Sequence, residues 1–292
     1  MSFVAVQGAN PSGETARAGE TAPQPPPVSA VQLEAVQALW GEGFFIPVER
    51  VFAKDAIAAL KLNRDKDVAI FGSALCGMAR ELADTLNSRV VCYEWDQGYA
   101  QAANTLNLRV TAGFSIKHFG ITRSDGFPAG RQFDAIICVM RMHERKDRPQ
   151  VIKAMSAALK PGGMLFLVDL VSGPEPITAE RRQTIFGAAA QYLPIIWRLS
   201  DVQFALVSAG LRIDADVDIT ARYRDAIVAN FTQMKEVVLS VLRSQTTGTV
   251  GAGDALTDQV KQWTARHDAL KKGELAVRCF LATKAQKTAP RV

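Results

Sequence analysis

The sequence predicts an α/β fold built on a doubly wound, largely parallel sheet. Three observations carry this prediction. Short apolar runs alternate with amphipathic segments from Ala53 to Leu170, the rhythm of strand–helix–strand units. The runs "DVAIFG", "FDAIICVM" and "MLFLVDL" are apolar almost without interruption, as strands covered on both faces are. The stretch Asp67–Asp96, "DVAIFGSALCGMARELADTLNSRVVCYEWD", reads as a strand, a tight turn, a helix and a second strand ending in an acid, the outline of a nucleotide-binding unit.

Residues 1–29 are rich in Pro, Gly, Ala and small polar residues. They bury too little apolar surface to offset their ordering entropy and are expected to be a disordered tail. From Ala30, "AVQLEAVQALW" has helical spacing, ended by the glycines and proline of "GEGFFIP". "AKDAIAALKL" reads as a helix and "DVAIFG" as a buried strand. "GMARELADTL" is a helix with Ala79, Leu82, Ala83 and Leu86 on one face. The strand "RVVCYE", the helix "GYAQAANTL", a weaker strand near "SIKHFGI" and the strong strand "FDAIICVM" follow. "DRPQVIKAMSAAL" is a helix, and "KPGGMLFLVDL" is a turn feeding an apolar strand.

Beyond Leu170 the rhythm changes. Helices are expected over 179–192 and 200–209, then the strand "LRIDADVDI". Tyr223–Arg243 is amphipathic, with Ile227, Phe231, Met234, Val238 and Val241 at helical spacing. It is read as packing on the domain's own core, with a homodimer face or a partner protein as the alternative. "SQTTGTVGAGD" is a linker, and a further helix and the strand "LAVRCFLATK" close a domain spanning 30–285, with a short tail over 286–292.

With 292 residues, 48% hydrophobic and 22% charged, the chain can bury a sizeable core. Its net charge of +5 is spread over a mixed surface without a Lys/Arg run, so no nucleic-acid face is expected. Cys76, Cys92, Cys138 and Cys279 form no CxxC pair, so a zinc or redox pair is not expected. They are read as buried thiols of a cytoplasmic protein. No stretch approaches a membrane span, and no secretory signal is expected at the N-terminus.

The chemistry centres on the first turn: Gly72, Ser73, Ala74, Leu75, Cys76, Gly77. Glycine suits such a turn because a Cβ blocks close approach or a positive φ; here Ala74 and Cys76 narrow it. Glu94 stands 22 residues beyond Gly72, close to the spacing at which a strand-end acid accepts the hydroxyls of a cofactor ribose. A pyrophosphate cofactor needs a central glycine in this turn; S-adenosylmethionine has no phosphate and tolerates a narrower one.

From about Trp40 to Lys284 the sequence resembles the class I S-adenosylmethionine-dependent methyltransferases, through "VAIFGSALCG", "VVCYE", "FDAIICVMRMH" and "LKPGGMLFLVD" in that order. A narrower similarity is to the phosphoethanolamine methyltransferases, through "WGEGFF" and "QWTARHDALKKGELAVRCFLATK". The resemblance implies a Rossmann-like, seven-stranded sheet with an antiparallel last strand. It implies a helical lid, drawn from about 176–209 and 221–272, over a small-molecule substrate, an amine or a phosphobase. It places Glu94 on the ribose, Gly72, Ala74 and Gly77 along the methionine portion, Thr122 or Ile121 beside adenine, and Phe45 as a cover. Ser73 and Trp95, which adjoin these positions, and Cys138 complete the candidate cofactor set.

The resemblance also places the catalytic histidine at His143 and a phosphate-holding cation at Arg266. Arginine's fork suits a phosphate. Trp40, Tyr192, Arg198 and Tyr223 are further candidates for substrate contact. Asp169 ends an apolar strand near the site and is read either as facing it or as capping a turn.

The family pattern is broken at several points. Ile70 replaces an acid before the first glycine, Ala74 and Cys76 replace glycines, Val139 replaces an aspartate and Trp40 a tyrosine; the adenine-side acid is missing unless Asp125 substitutes. These departures make a catalytically inactive, methyltransferase-like binding or scaffolding protein the alternative. A nicotinamide-dependent oxidoreductase superficially suits Gly72-x-Ala74-x-x-Gly77, but the missing central glycine and the "KPGG" strand entry speak against it.

Overall fold

The structure is a computed structural model that describes residues 28–86, 90–107, 116–120, 130–187, 193–243 and 251–286. Most of the expected tail and the candidates Ile121, Thr122, Asp125 and Tyr192 lie outside the described residues. Val28 and Ser29 do not belong to a tail. Ser29 caps the first helix through a capping box with Gln32, and the Val28 N–H points to Asp96 Oδ1 at 3.4 Å.

In chain order the elements are α1 (Ala30–Trp40), α2 (Glu49–Ala59), β1 (Val68–Phe71), α3 (Gly77–Leu86), β2 (Val90–Glu94), α4 (Gln97–Asn107) and β3 (Ile116–Gly120). β4 (Phe133–Val139), α5 (Arg148–Ala158), β5 (Leu159–Ser172), α6 (Ala179–Phe186), α7 (Leu199–Ser208), β6 (Leu211–Asp218), α8 (Thr220–Arg243), α9 (Ala252–Lys271) and β7 (Leu275–Lys284) complete the chain. The seven strands lie in the order β3-β2-β1-β4-β5-β7-β6. β1 to β5 pair in parallel, and β7 runs antiparallel to both β5 and β6. The order reverses between β1 and β4, so their carboxyl ends open the crevice where ligands bind in such sheets.

The period-2 alternation of each strand divides the core into two layers. Ile70, Cys92, Ile137 and Val168 pack with residues of α2 and α3. Ala69, Val91, Cys138 and Leu167 face the other way, toward α5 and α7. Cys138 therefore belongs to the core of one sheet face and does not reach the crevice. The four cysteines are free thiols, with Cys279 half-buried and the others buried.

Helices α1, α6, α8 and α9 pack on one another above the carboxyl edge, and the first half of α8 buries Tyr223 and Ile227. That half packs on the core, as its periodicity predicts. α7 falls within the expected 176–209 lid, yet it packs on a sheet face against α5 and β6. Arg198, the cap residue just before α7, is exposed, its backbone N–H donating to Asp201 at 3.1 Å. Among the described residues no helix is long and apolar enough to cross a membrane.

Candidate functional site

The β1–α3 turn keeps a glycine-like backbone at Ala74 and Cys76, where glycines are replaced. Gly72, Ala74 and Cys76 have φ of 69°, 46° and 62°. For Ala and Cys this left-handed geometry costs about 1–2 kcal/mol each, and the surrounding hydrogen bonds hold it. The N–H groups of Gly72 and Ser73 donate to the Tyr93 carbonyl at 2.8 and 3.2 Å, and that of Cys76 to the Ser73 carbonyl at 2.8 Å. Gly77 serves close packing rather than a ligand: a Cβ there would lie 2.3 Å from the Gly43 carbonyl oxygen. The Gly-Glu-Gly segment thus lies directly against the start of α3.

Glu49 fastens that segment. Its buried carboxylate accepts from the Phe45 N–H at 3.1 Å and the Met78 N–H at 3.0 Å. Burial pushes its pKa up to about 7, against the two N–H donors and the charges of Arg141 and Arg80. A carboxyl raised above its unfolded value of 4.5 gives its full stabilising contribution below that pH and loses it as pH rises toward 7. The loss is about 3 kcal/mol at most. Urea midpoints of the wild type should fall between pH 4.5 and 7.5 more steeply than those of Glu49→Gln; equal slopes would remove Glu49 from this role.

Glu94 ends β2 inside the crevice, as its spacing predicts. Its oxygens accept from the Ala74 N–H, from the Asp96 N–H at 2.8 Å and from Arg141 Nη2 at 2.7 Å. The side chains of Arg141 and Glu94 are 1% and 0% exposed. The Arg141 guanidinium lies 5.2, 5.4 and 5.0 Å from the ring centres of Phe45, Trp95 and Tyr99, within cation–π range. Burial lifts the Glu94 carboxyl above its usual range, opposed by Arg141. Burial lowers Arg141, but Glu144 and Glu94 more than reverse this.

The turn and the Glu94 carboxylate frame the crevice, and side chains close its face. A Cβ on Gly72 would meet Trp95 Cη2 at 2.5 Å and Arg141 Cβ at 2.6 Å. The space beside Gly72 is filled by the Trp95 ring and Arg141 Cβ.

Next to this plug lies a cavity of about 300 Å³, lined among others by Phe45, Tyr99, His143, Phe186, Trp263 and Arg266. That volume is at the small end of ligand pockets. His143 stands in the single turn Met142–Glu144 that follows β4. Its Nδ1 lies 2.6 Å from Asp169 Oδ1, and its N–H donates to Asp169 Oδ2 at 3.1 Å. A carboxylate only accepts, so Nδ1 carries the proton of this contact; in the neutral form of the ring Nε2 is then the atom with the lone pair. Asp169 takes the orienting role that Val139 cannot.

Arg266 projects from α9 with its guanidinium 4.4 Å from the Trp263 ring and 5.1 Å from Phe186. Its buried Nε has no partner, and burial lowers its pKa. Trp40 and Tyr223 stand behind this wall. Trp40 meets Trp263 edge-on at 5.1 Å, and Tyr223 stacks on Phe52 at 6.3 Å. Trp40 Nε1 is buried without a partner, whereas the Tyr223 hydroxyl lies against the Arg266 guanidinium.

Residues 71–167 match the family described as "Methyltransferase domain". The similarity to that family is confined to this segment. The chain is 44% identical over 46 residues to an uncharacterized methyltransferase of Schizosaccharomyces pombe, a match spanning 16% of each chain. Its fold is similar to that of phosphoethanolamine N-methyltransferase 2 of Haemonchus contortus, solved with phosphomonomethylethanolamine and S-adenosylhomocysteine. The TM-score is 0.73 at 15% identity, covering 87% of this chain and 57% of that one. It is also similar to a cyclopropane synthase of Mycobacterium tuberculosis, with a TM-score of 0.66 at 13% identity over 80% of this chain and 83% of that one. The chain thus spans less than two thirds of the Haemonchus enzyme.

Sequence reasoning missed Arg141 and Tyr99 altogether. The one signal for Arg141 was an arginine interrupting the apolar run "CVMRMH"; Tyr99 looked like any aromatic residue on an amphipathic helix.

Proposed function

We propose that the chain is a methyltransferase using S-adenosylmethionine on a small anionic metabolite, an amine or phosphobase, whose nucleophile loses a proton at His143. One observation carries this reading: His143, oriented by Asp169, and Arg266 face the same cavity beside the Gly72–Glu94 frame.

S-adenosylmethionine, when bound, supplies a methyl group on a sulfonium. The Gly72–Ala74 turn and Glu94 would hold it, and Phe45 would cover it. The substrate's anionic end would meet the Arg266 guanidinium. His143 Nε2 would take the nucleophile's proton while Asp169 keeps the ring aligned. Helices α1, α6 and α9 would close the cavity against water. The remaining contribution is alignment of the two reactants. Cytoplasmic action, alone or beside a second copy or a partner protein, completes this reading.

A second reading, a methyltransferase-like binding protein without turnover, is favoured by the arginine filling the crevice. Methyl-labelled S-adenosylmethionine should separate the two, offered with a panel including phosphoethanolamine and phosphomonomethylethanolamine. Label transfer lost in Arg266→Ala supports the first. No transfer to any panel member, with no S-adenosylhomocysteine binding at millimolar ligand, contradicts it.

A further inference from the structure

We propose that Arg141 is an intramolecular ligand of the cofactor crevice, a plug that leaves Glu94 and turns outward on Glu144 when an adenosyl cofactor enters. The proposal rests on the cofactor reading above and adds to it a built-in competitor.

The occupant suits the place. A flat, delocalised cation lies among the rings of Phe45, Trp95 and Tyr99 and against the Glu94 carboxylate. A flat base and a ribose diol would use aromatic faces and a carboxylate of the same kind. The Trp95 ring lies over Gly72 beside the backbone-fixed Cβ of Arg141, so the indole must turn away when a ligand lies against that glycine, and the guanidinium must leave Glu94 when a ligand uses that carboxylate.

The hold is incomplete in ways that allow release. Arg141 Nε is buried without a partner. The preceding residue, Met140, has a φ of 54°, which a side chain of its size adopts rarely; strain of this kind collects at switching positions.

An outward partner is already engaged. Glu144 accepts from Arg141 Nη1 at 3.2 Å and lies 3.2 Å from Nη2. Its side chain is 36% exposed, at the mouth of the crevice. The Trp95 indole N–H also points to Glu144, at 3.4 Å. One carboxylate at the rim thus holds both parts of the plug. The guanidinium can give up Glu94 and the rings without losing its charge partner.

A site closed by its own side chain binds with an apparent affinity reduced by the fraction of open molecules. Removing the plug should therefore tighten cofactor binding, whereas removing a residue that merely supports the site would weaken it. The test is calorimetric titration of S-adenosylhomocysteine into the full chain, wild type and Arg141→Gln, with Arg141→Lys added because it keeps the charge that Glu94 needs for folding. We expect Arg141→Gln to bind roughly tenfold more tightly than wild type, and Arg141→Lys to fall between them. Wild-type binding with equal or weaker binding by both variants would overturn the plug and leave the cofactor reading standing. Absence of binding by all three folded chains would overturn both.

Discussion

Glu94→Ala should lower the free energy of unfolding by about 3–5 kcal/mol, the range for stripping one partner from a buried ion pair. Glu94 has the setting for so large an effect: it is fully buried and accepts two backbone N–H groups as well as Arg141 Nη2. Its loss strands the N–H groups of Ala74 and Asp96 and leaves the arginine on Glu144 alone. For a chain of this size the change corresponds to a drop in melting temperature on the order of 10 °C. A double variant, Glu94→Ala with Arg141→Met, should recover much of it, because no charge is then left unpaired. Thermal melts of the four chains give the coupling. A small loss in Glu94→Ala, within about 1 kcal/mol, would mean that the pair is solvated and the crevice open.

His143→Ala should reduce turnover by about 10²- to 10⁴-fold, the usual range for losing a positioned general base. Asp169 is a positioning residue, and its replacement should act through the histidine. Asp169→Asn keeps an acceptor for one of the two N–H groups that Asp169 now serves, those of His143 and Leu170, so the fold should persist. It presents the wrong partner to Nδ1, so kcat should fall while the affinity for S-adenosylhomocysteine stays at its wild-type value. A merely structural role for Asp169 would instead weaken cofactor binding and lower the melting temperature together, with kcat of the folded, saturated fraction unchanged. Single-turnover rates with the best substrate of the panel, beside calorimetry on the same samples, separate the two.

Most of the fold was legible because the signals are local. The continuous apolar runs at Val68–Phe71 and Phe133–Val139, and the helical face of Ala79, Leu82 and Ala83, depend on residues a few positions apart. α2 begins four residues earlier than the apolar pattern indicates, at Glu49 rather than Ala53. That glutamate is at the helix start because it reaches the N–H groups of Phe45 and Met78, a tertiary reason invisible to periodicity. Glu94 could be found because strand, turn and helix fix its distance from Gly72.

The rest of the site was hidden because it depends on side chains that meet across the sheet. Asp169 joins His143 from a neighbouring strand 26 residues away, and Arg141 joins Glu94 from 47 residues away. Ala74 and Cys76 read as a narrowed turn, yet the backbone keeps the left-handed geometry of glycine. The obstruction beside Gly72 comes instead from Trp95 and Arg141. Arg198 and Cys138 looked plausible from their neighbours in sequence. α7 carries the first to the surface, and strand alternation turns the second into the core.

The decisive measurement is a crystal structure of the full chain grown with millimolar S-adenosylhomocysteine. Ribose hydroxyls on the Glu94 carboxylate, with Arg141 moved onto Glu144 and Trp95 lifted from Gly72, are the predicted result. Arg141 unmoved between Glu94 and the rings of Phe45, Trp95 and Tyr99, with the ligand bound elsewhere or not at all, would contradict the account.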